Sequence, residues 1–148
     1  MPLDRSWIEK NIHHHGRMCL LDEVMEWDAR HIRCRSGTHR LPDHPLRSHG
    51  RLGAACGIEY AAQAMAVHGA LTGGAPGRSE VGFLAALRDV RLHVLRLDDL
   101  DGELHCEAAL VAGDRGSALY EFALQSAARQ LLRGRATVVF DAGDRAKP

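Results

Sequence analysis

A chain of 148 residues, 45% hydrophobic and 26% charged, has the composition of one ordinary globular domain rather than a disordered or fibrous protein. Its 19 basic and 19 acidic side chains cancel, which argues against gripping nucleic acid by bulk charge. The N-terminus has no apolar signal segment, and the longest apolar run, Ala54 to Leu71, contains Glu59, Gln63 and His68. A membrane span or a secretory leader is therefore not expected, and a soluble, cytoplasmic protein is.

The elements follow in chain order. Ser6-Trp7-Ile8-Glu9 has the S-x-x-E form of a capping box and predicts a short helix, ended near Gly16. Met18 to Asp28 reads as a strand, and His31 to His39 as its continuation or partner. The segment from Arg40 to Gly50, with two prolines and a glycine, predicts a loop. A long helix is expected from about Ala54 to about Leu71, broken by the glycine- and proline-rich stretch that follows it. The remainder predicts strands: "GFLAALRDVRLHVLRL", "GELHCEAALVA", "SALYEFALQSAA" and "QLLRGRATVVF", with "GDRG" as a turn. The last residues, 141–148, predict a flexible polar tail. Cys19, Cys34, Cys56 and Cys106 are scattered without a C-x-x-C and are expected to be core thiols. No linker marks a second domain, so residues 1–148 are expected to form one α+β domain with its core in about 12–140. A helix apolar on nearly every side must be covered, and an antiparallel sheet curling around it would do so. The open sheet edges this leaves predict dimerisation.

Glu59 and Gln63 lie four residues apart and share a face of that helix. A carboxylate in an apolar setting is a common form of general acid or base. The helix N-terminus near Gly53 to Gly57 offers backbone N–H groups to polarise a carbonyl, and Gly57 permits close approach of a ligand. His44, before Pro45, adds a group able to take or give a proton near neutral pH. A histidine, a carboxylic acid and a helix N-terminus suit removal of a proton beside a thioester carbonyl and expulsion of a β-hydroxyl. Consecutive histidines at 13 to 15 point in different directions, so no metal site is expected there.

The segment "HPLRSHGRLGAACGIEYAAQAMA" resembles the active-site segment of hotdog-fold β-hydroxyacyl-acyl-carrier-protein dehydratases, through His44-Pro45, Gly50 to Gly53, and Glu59-x-x-Ala62-Gln63. "IHHHGRMCLLDEV" is similar to an upstream family segment and aligns His14 and Asp22 with its histidine and aspartate. "VGFLAALRDVRLHV" resembles a strand of a predicted dehydratase branch linked to aryl-polyene-type pigment pathways. The resemblance covers roughly residues 12 to 140. The sequence departs from the family at Gly53, His13 and Arg17, where proline is usual, and its His-to-acid spacing of fifteen residues is one longer than in the fatty-acid enzymes. His49 is the alternative histidine.

What the resemblance implies is a hotdog dimer, an antiparallel sheet wrapped around one long central helix, with a substrate tunnel at the subunit interface. It implies dehydration of 3-hydroxyacyl-carrier-protein thioesters to trans-2-enoyl products. His44 of one subunit would abstract the α-proton, and protonated Glu59 of the other would assist loss of the hydroxyl. A backbone N–H near Cys56 or Gly57 would hold the thioester oxygen, Gln63 would orient Glu59 or its water, and His14 would stand beside the tunnel. No metal or dissociable cofactor is implied, because the acyl chain arrives on the phosphopantetheine arm of an acyl carrier protein. Arg88, Arg91 and Arg96 form either a solvated face or a surface for that carrier. Two other functions stay open: a hotdog acyl thioesterase, and a non-catalytic hotdog subunit of a heteromeric dehydratase.

Overall fold

The structure is a computed structural model that describes residues 3–12, 14–73 and 82–140. Helix α1 (Arg5–Asn11) begins earlier than the S-x-x-E pattern predicts, because Asp4 caps it: its carboxylate accepts the Trp7 N–H at 3.0 Å. Ser6 and Glu9 therefore lie inside the helix, which drops Ile8 into the core with no exposed surface. Strands β1 (Glu23–Asp28) and β2 (His31–Ser36) form a hairpin. The predicted first strand is shorter than expected, because Leu20 finds its polar partners in side chains and the Cys19 N–H donates to Gly16 O rather than into a ladder.

Helix α2 (Gly57–Thr72) is the long apolar helix, entered through one 3-10 turn, Ala54–Cys56. The break predicted after it falls largely outside the described residues, as do His13 and the tail 141–148. Strands β3 (Gly82–Leu92), β4 (Leu104–Gly113), β5 (Ser117–Ser126) and β6 (Arg129–Phe140) complete one antiparallel sheet in the order β1-β2-β4-β5-β6-β3. Strand β3 stops short of the predicted Leu97. Residues 93–97 turn instead to hold the loop before α2, with Ala54 donating to Leu95 O at 3.1 Å and Leu97 to Leu52 O at 2.8 Å.

Alternation along the strands sorts the two faces. On β5, Ala118, Tyr120, Phe122 and Leu124 are buried against the helix side, while Glu121 is exposed. Tyr60, Ala61, Ala64 and Val67 of α2 meet Leu104, Leu124 and Leu132 in one core that also takes Cys19, Cys34 and Cys106 as free thiols. Burial pushes the Cys34 thiol up to about 12, which suits a packing role. A six-stranded antiparallel sheet around one central helix is the hotdog architecture.

Gly57 sets how closely that helix sits on the sheet. A Cβ there would lie 2.5 Å from Leu132 Cδ2 and 3.0 Å from Leu124 Cδ2, both on fully buried side chains. The position a side chain would take at Gly57 thus faces the core. Gly57→Val should lower stability by about 1–3 kcal/mol through overpacking, read as a shift of the urea midpoint at unchanged slope.

At the sheet's edge, β3 presents Phe83, Leu84, Leu87 and Leu92, each at least two-fifths exposed. Such an apolar, unpaired edge is unusual for an isolated domain.

Candidate active site

Glu59 stands in the first turn of α2, where a negative charge is favoured by the helix dipole. Its side chain is 37% exposed, and its Oε1 lies 3.3 Å from Nε2 of His14, itself 33% exposed. The two residues therefore meet within one chain, across the segment that links α1 to β1.

Gln63, one turn further along α2, explains how His14 is held there. It is fully buried, and its carboxamide is spent on backbone: Oε1 accepts the Leu20 N–H at 2.8 Å and Nε2 donates to Met18 O at 2.6 Å. These hydrogen bonds of Gln63 go to Leu20 and Met18 rather than to Glu59. They clamp residues 18–20 to the helix face that carries Glu59. Arg5 adds a second tie, donating to Gly16 O at 2.9 Å, and Asp22 a third, accepting the Gly37 N–H at 2.7 Å.

His44 is placed differently. It is 5% exposed, its Nδ1 accepts the Leu46 N–H at 3.0 Å, and its Nε2 lies 2.9 Å from Tyr60 Oη. Because Nδ1 must offer a lone pair to Leu46, the proton sits on Nε2 and is donated to Tyr60. Burial, with Arg47 and His39 nearby, lowers the His44 pKa and favours this neutral form. Tyr60 passes the chain on to Thr38 Oγ1 at 2.7 Å, and Thr38 and Ser36 both donate to Leu20 O. Burial raises the Tyr60 phenol far above its ordinary value, so it acts as a neutral link. Leu20 is the junction: its N–H goes to Gln63 and its C=O receives Ser36 and Thr38.

Tyr60, Thr38 and Ser36 were not anticipated from the sequence. The available signal was a tyrosine directly after Glu59 in an otherwise alanine-rich helix. His44, Thr38 and Pro45 also line a cavity of about 350 Å³ with Arg5, Glu9 and Arg17.

The helix entrance is closed in this chain. Cys56 N–H donates to Gly53 O at 3.0 Å, and Gly57 N–H donates to Ala54 O within the same turn. A thioester oxygen held by a backbone N–H near Cys56 or Gly57, as the resemblance implies, would share these amides or use a neighbouring one. The Cys56 thiol packs under the His44 loop, 3.8 Å from Leu46 O, and burial raises its pKa. His49 is exposed at the tip of a tight turn, in left-handed conformation with φ 53° beside Gly50 at 76°. That geometry answers to the turn, where both central residues need positive φ. Among the described residues no group of three or more His, Cys, Asp or Glu side chains could hold a metal ion.

Asp98 anchors the loop that follows His44. It is 6% exposed, accepts the Leu52 N–H at 2.9 Å and Arg96 Nε at 3.0 Å, makes a second short contact with Arg96 Nη2, and has Arg47 Nη1 at 3.6 Å. Arg47 in turn donates to Leu41 O and Gly50 O. Arg96 is thus committed to Asp98. The Arg96 guanidinium holds the Asp98 carboxyl well below the usual carboxylate range. A depressed native pKa stabilises fully above the ordinary value of about 3.9, and that contribution is lost as pH falls toward the native value. Asp98→Asn should therefore remove part of the acid dependence of stability below about pH 4, measured as melting temperature against pH.

Comparison with known proteins follows from this geometry. A search of curated proteins finds no match. Among solved structures, the dehydratase heterocomplex ApeI:P from Xenorhabdus doucetiae superposes with TM-score 0.82 at 21% identity, covering 97% of this chain and 93% of that one. A thioesterase variant from Pseudomonas aeruginosa gives TM-score 0.58 at 11% identity, covering 80% of this chain and 79% of that one. The PaaI protein of the E. coli phenylacetic acid degradation operon gives 0.60 at 10%, covering 78% and 80%. These likenesses agree on the hotdog fold. The family model for ApeP-like dehydratases matches residues 6–146, nearly the whole chain, and so takes in His14, His44, Glu59 and Gln63 together; the protein belongs to the ApeP-like dehydratase family.

Proposed function

We propose that the protein dehydrates 3-hydroxyacyl thioesters, carried on an acyl carrier protein, to trans-2-enoyl thioesters in a fatty-acid-like or aryl-polyene-type pathway. The observation that carries this reading is a half-exposed carboxylate, Glu59, touching an imidazole at the start of the central helix of a dehydratase-family chain. The reaction needs a base for the α-proton and an acid for the departing hydroxyl, and a carboxyl–imidazole pair supplies both. The acyl group would arrive on a phosphopantetheine arm, so no further cofactor is called for.

The exposed apolar edge of β3 supports assembly with a second hotdog subunit, and the similar ApeI:P structure is a heterocomplex. We therefore favour a heteromer with another hotdog protein over a monomer, with a homodimer as the alternative. The test is mass spectrometry of 3-hydroxyacyl carrier protein incubated with the purified chain, alone and together with a second hotdog dehydratase subunit. Loss of one water per acyl chain supports dehydration. Release of free acid without an enoyl product would replace it with a thioesterase. Turnover by the partner alone, unchanged by adding this chain, would count against a catalytic role.

A further inference from the structure

We infer that Arg88 and Arg91 of β3, with Arg133 and Arg135 of β6, form a docking surface on the outer face of the sheet for an acidic helix of the carrier protein. The inference rests on the dehydratase reading, which supplies such a carrier as the bearer of the acyl chain, and adds where that protein seats.

A strand irregularity brings these side chains together. Arg133 and Arg135 are two residues apart and share a face, both exposed between the buried Leu132, Gly134 and Ala136. Arg88 and Arg91 are three apart, a spacing that sends side chains to opposite faces of a regular strand. A bulge corrects this. The register passes from Arg88 opposite Arg135 to Arg91 opposite Arg133 with one extra residue on β3, and Asp89 takes a left-handed φ of 54°. Val90 turns inward onto Gly134, where a Cβ would lie 3.0 Å from its Cγ2, and this fixes Arg91 outward. Both β3 arginines thereby stand directly across from β6 arginines.

Like charges directly opposite each other destabilise a sheet. Two such pairs side by side, in a chain whose 19 basic and 19 acidic groups balance, suit a surface that meets negative charge from outside. The neighbouring carboxylates are taken up elsewhere: Glu121 lies 3.4 Å from Arg135, and Glu107 is in register with Arg33 of β2. Among the described residues no carboxylate is within ion-pair distance of Arg88, Arg91 or Arg133, and Asp89 is the acid that stands between them in sequence. Arg91, Arg133 and Arg135 border a hollow of about 450 Å³ with Ala109 and Ala123, whose short side chains leave room for an inserted one.

The spacing fits a helix. Opposed Cβ atoms lie about 5 Å apart across strands and same-face neighbours about 7 Å apart along one. Acidic side chains at i and i+4 of a helix lie about 5–6 Å apart. A subunit paired to the β3 edge would lie beside Arg88 and Arg91 in the plane of the sheet. It would leave Arg133 and Arg135, one strand inward, open to a protein approaching the face. The same strand leads to the site: just beyond Arg91, Leu95 O accepts the Ala54 N–H at 3.1 Å, at the entrance of the helix that carries Glu59.

The test measures binding of a 3-hydroxyacyl carrier protein to the full assembly by fluorescence anisotropy across salt concentrations. Dehydration of the same acyl group is followed on the carrier and on a pantetheine thioester without protein. Arg133→Glu places opposite charges across the Arg91 pair, so the melting temperature should hold or rise. Carrier binding should nevertheless weaken about tenfold at low salt, and KM should rise with it. The pantetheine thioester should react at the wild-type rate. Added salt should weaken binding by wild type more than by the variant. Arg115→Glu, an equal change of charge in the β4–β5 turn, should bind as wild type. Arg91→Glu repeats the charge pairing from the other strand and covers the case in which Arg133→Glu does not fold. Unchanged carrier binding by the folded variant overturns the inference, as does a wild-type assembly that binds no carrier. Loss of the assembly in the variant also overturns it, since the patch would then be a subunit contact. An assembly that binds the carrier through Arg133 yet forms no enoyl product supports the surface and overturns dehydration alone.

Discussion

Glu59→Gln should cut dehydration by about 10²–10⁴-fold while the protein stays folded. The substitution keeps size and hydrogen-bonding reach but removes the group that can both hold and release a proton. Glu59 is 37% exposed and its described ion-pair partner is His14, itself one-third exposed, so little native stability depends on the charge. Steady-state kinetics on a 3-hydroxyacyl carrier protein, with a melt on the same sample, separates the two effects. A folded variant at wild-type rate would show that Glu59 carries no proton in the reaction.

Gln63→Leu should destabilise the protein and disarm the site together. Leucine fills the same space but leaves the buried Leu20 N–H and the Met18 C=O without the carboxamide they now share. Each buried group left unpaired costs about 1–3 kcal/mol, and at this chain length each kcal/mol lowers the melting temperature by about 4 °C. The released 18–20 segment also frees His14 from its place over Glu59, so kcat should fall more than the loss of folded protein accounts for. Gln63→Glu, which keeps one acceptor oxygen and loses the donor, should fall between the two. A melting temperature equal to wild type for Gln63→Leu would contradict the clamp.

The fold was largely legible. Six strand-like stretches, one long apolar helix and the turn at Asp114–Gly116 follow from hydrophobic period and turn residues, and all appear in the sheet and its central helix. The β5–β6 turn was not, because Ala127 and Ala128 occupy left-handed positions at φ 50° and 66° that glycine or asparagine normally fills. Nothing in "SAAR" announces a turn; the register of the two long strands forces it. The start of α1 was misplaced for a related reason, since two residues can cap and only the surrounding backbone selects Asp4 over Ser6.

By itself, the sequence determined that a carboxylate and a carboxamide share one face of a buried helix, because spacing by four residues does so in any α-helix. It also carried, through its resemblance, the family. Only the tertiary structure decided which groups those side chains meet. Met18 and Leu20 lie more than forty residues from Gln63, and Thr38 and Tyr60 belong to different elements. Hydrogen bonds act over about 3 Å, and no local pattern records which distant donor folds to that distance. That is why the contacts of His44 with Tyr60 and of His14 with Glu59 within one chain appear only in the folded protein.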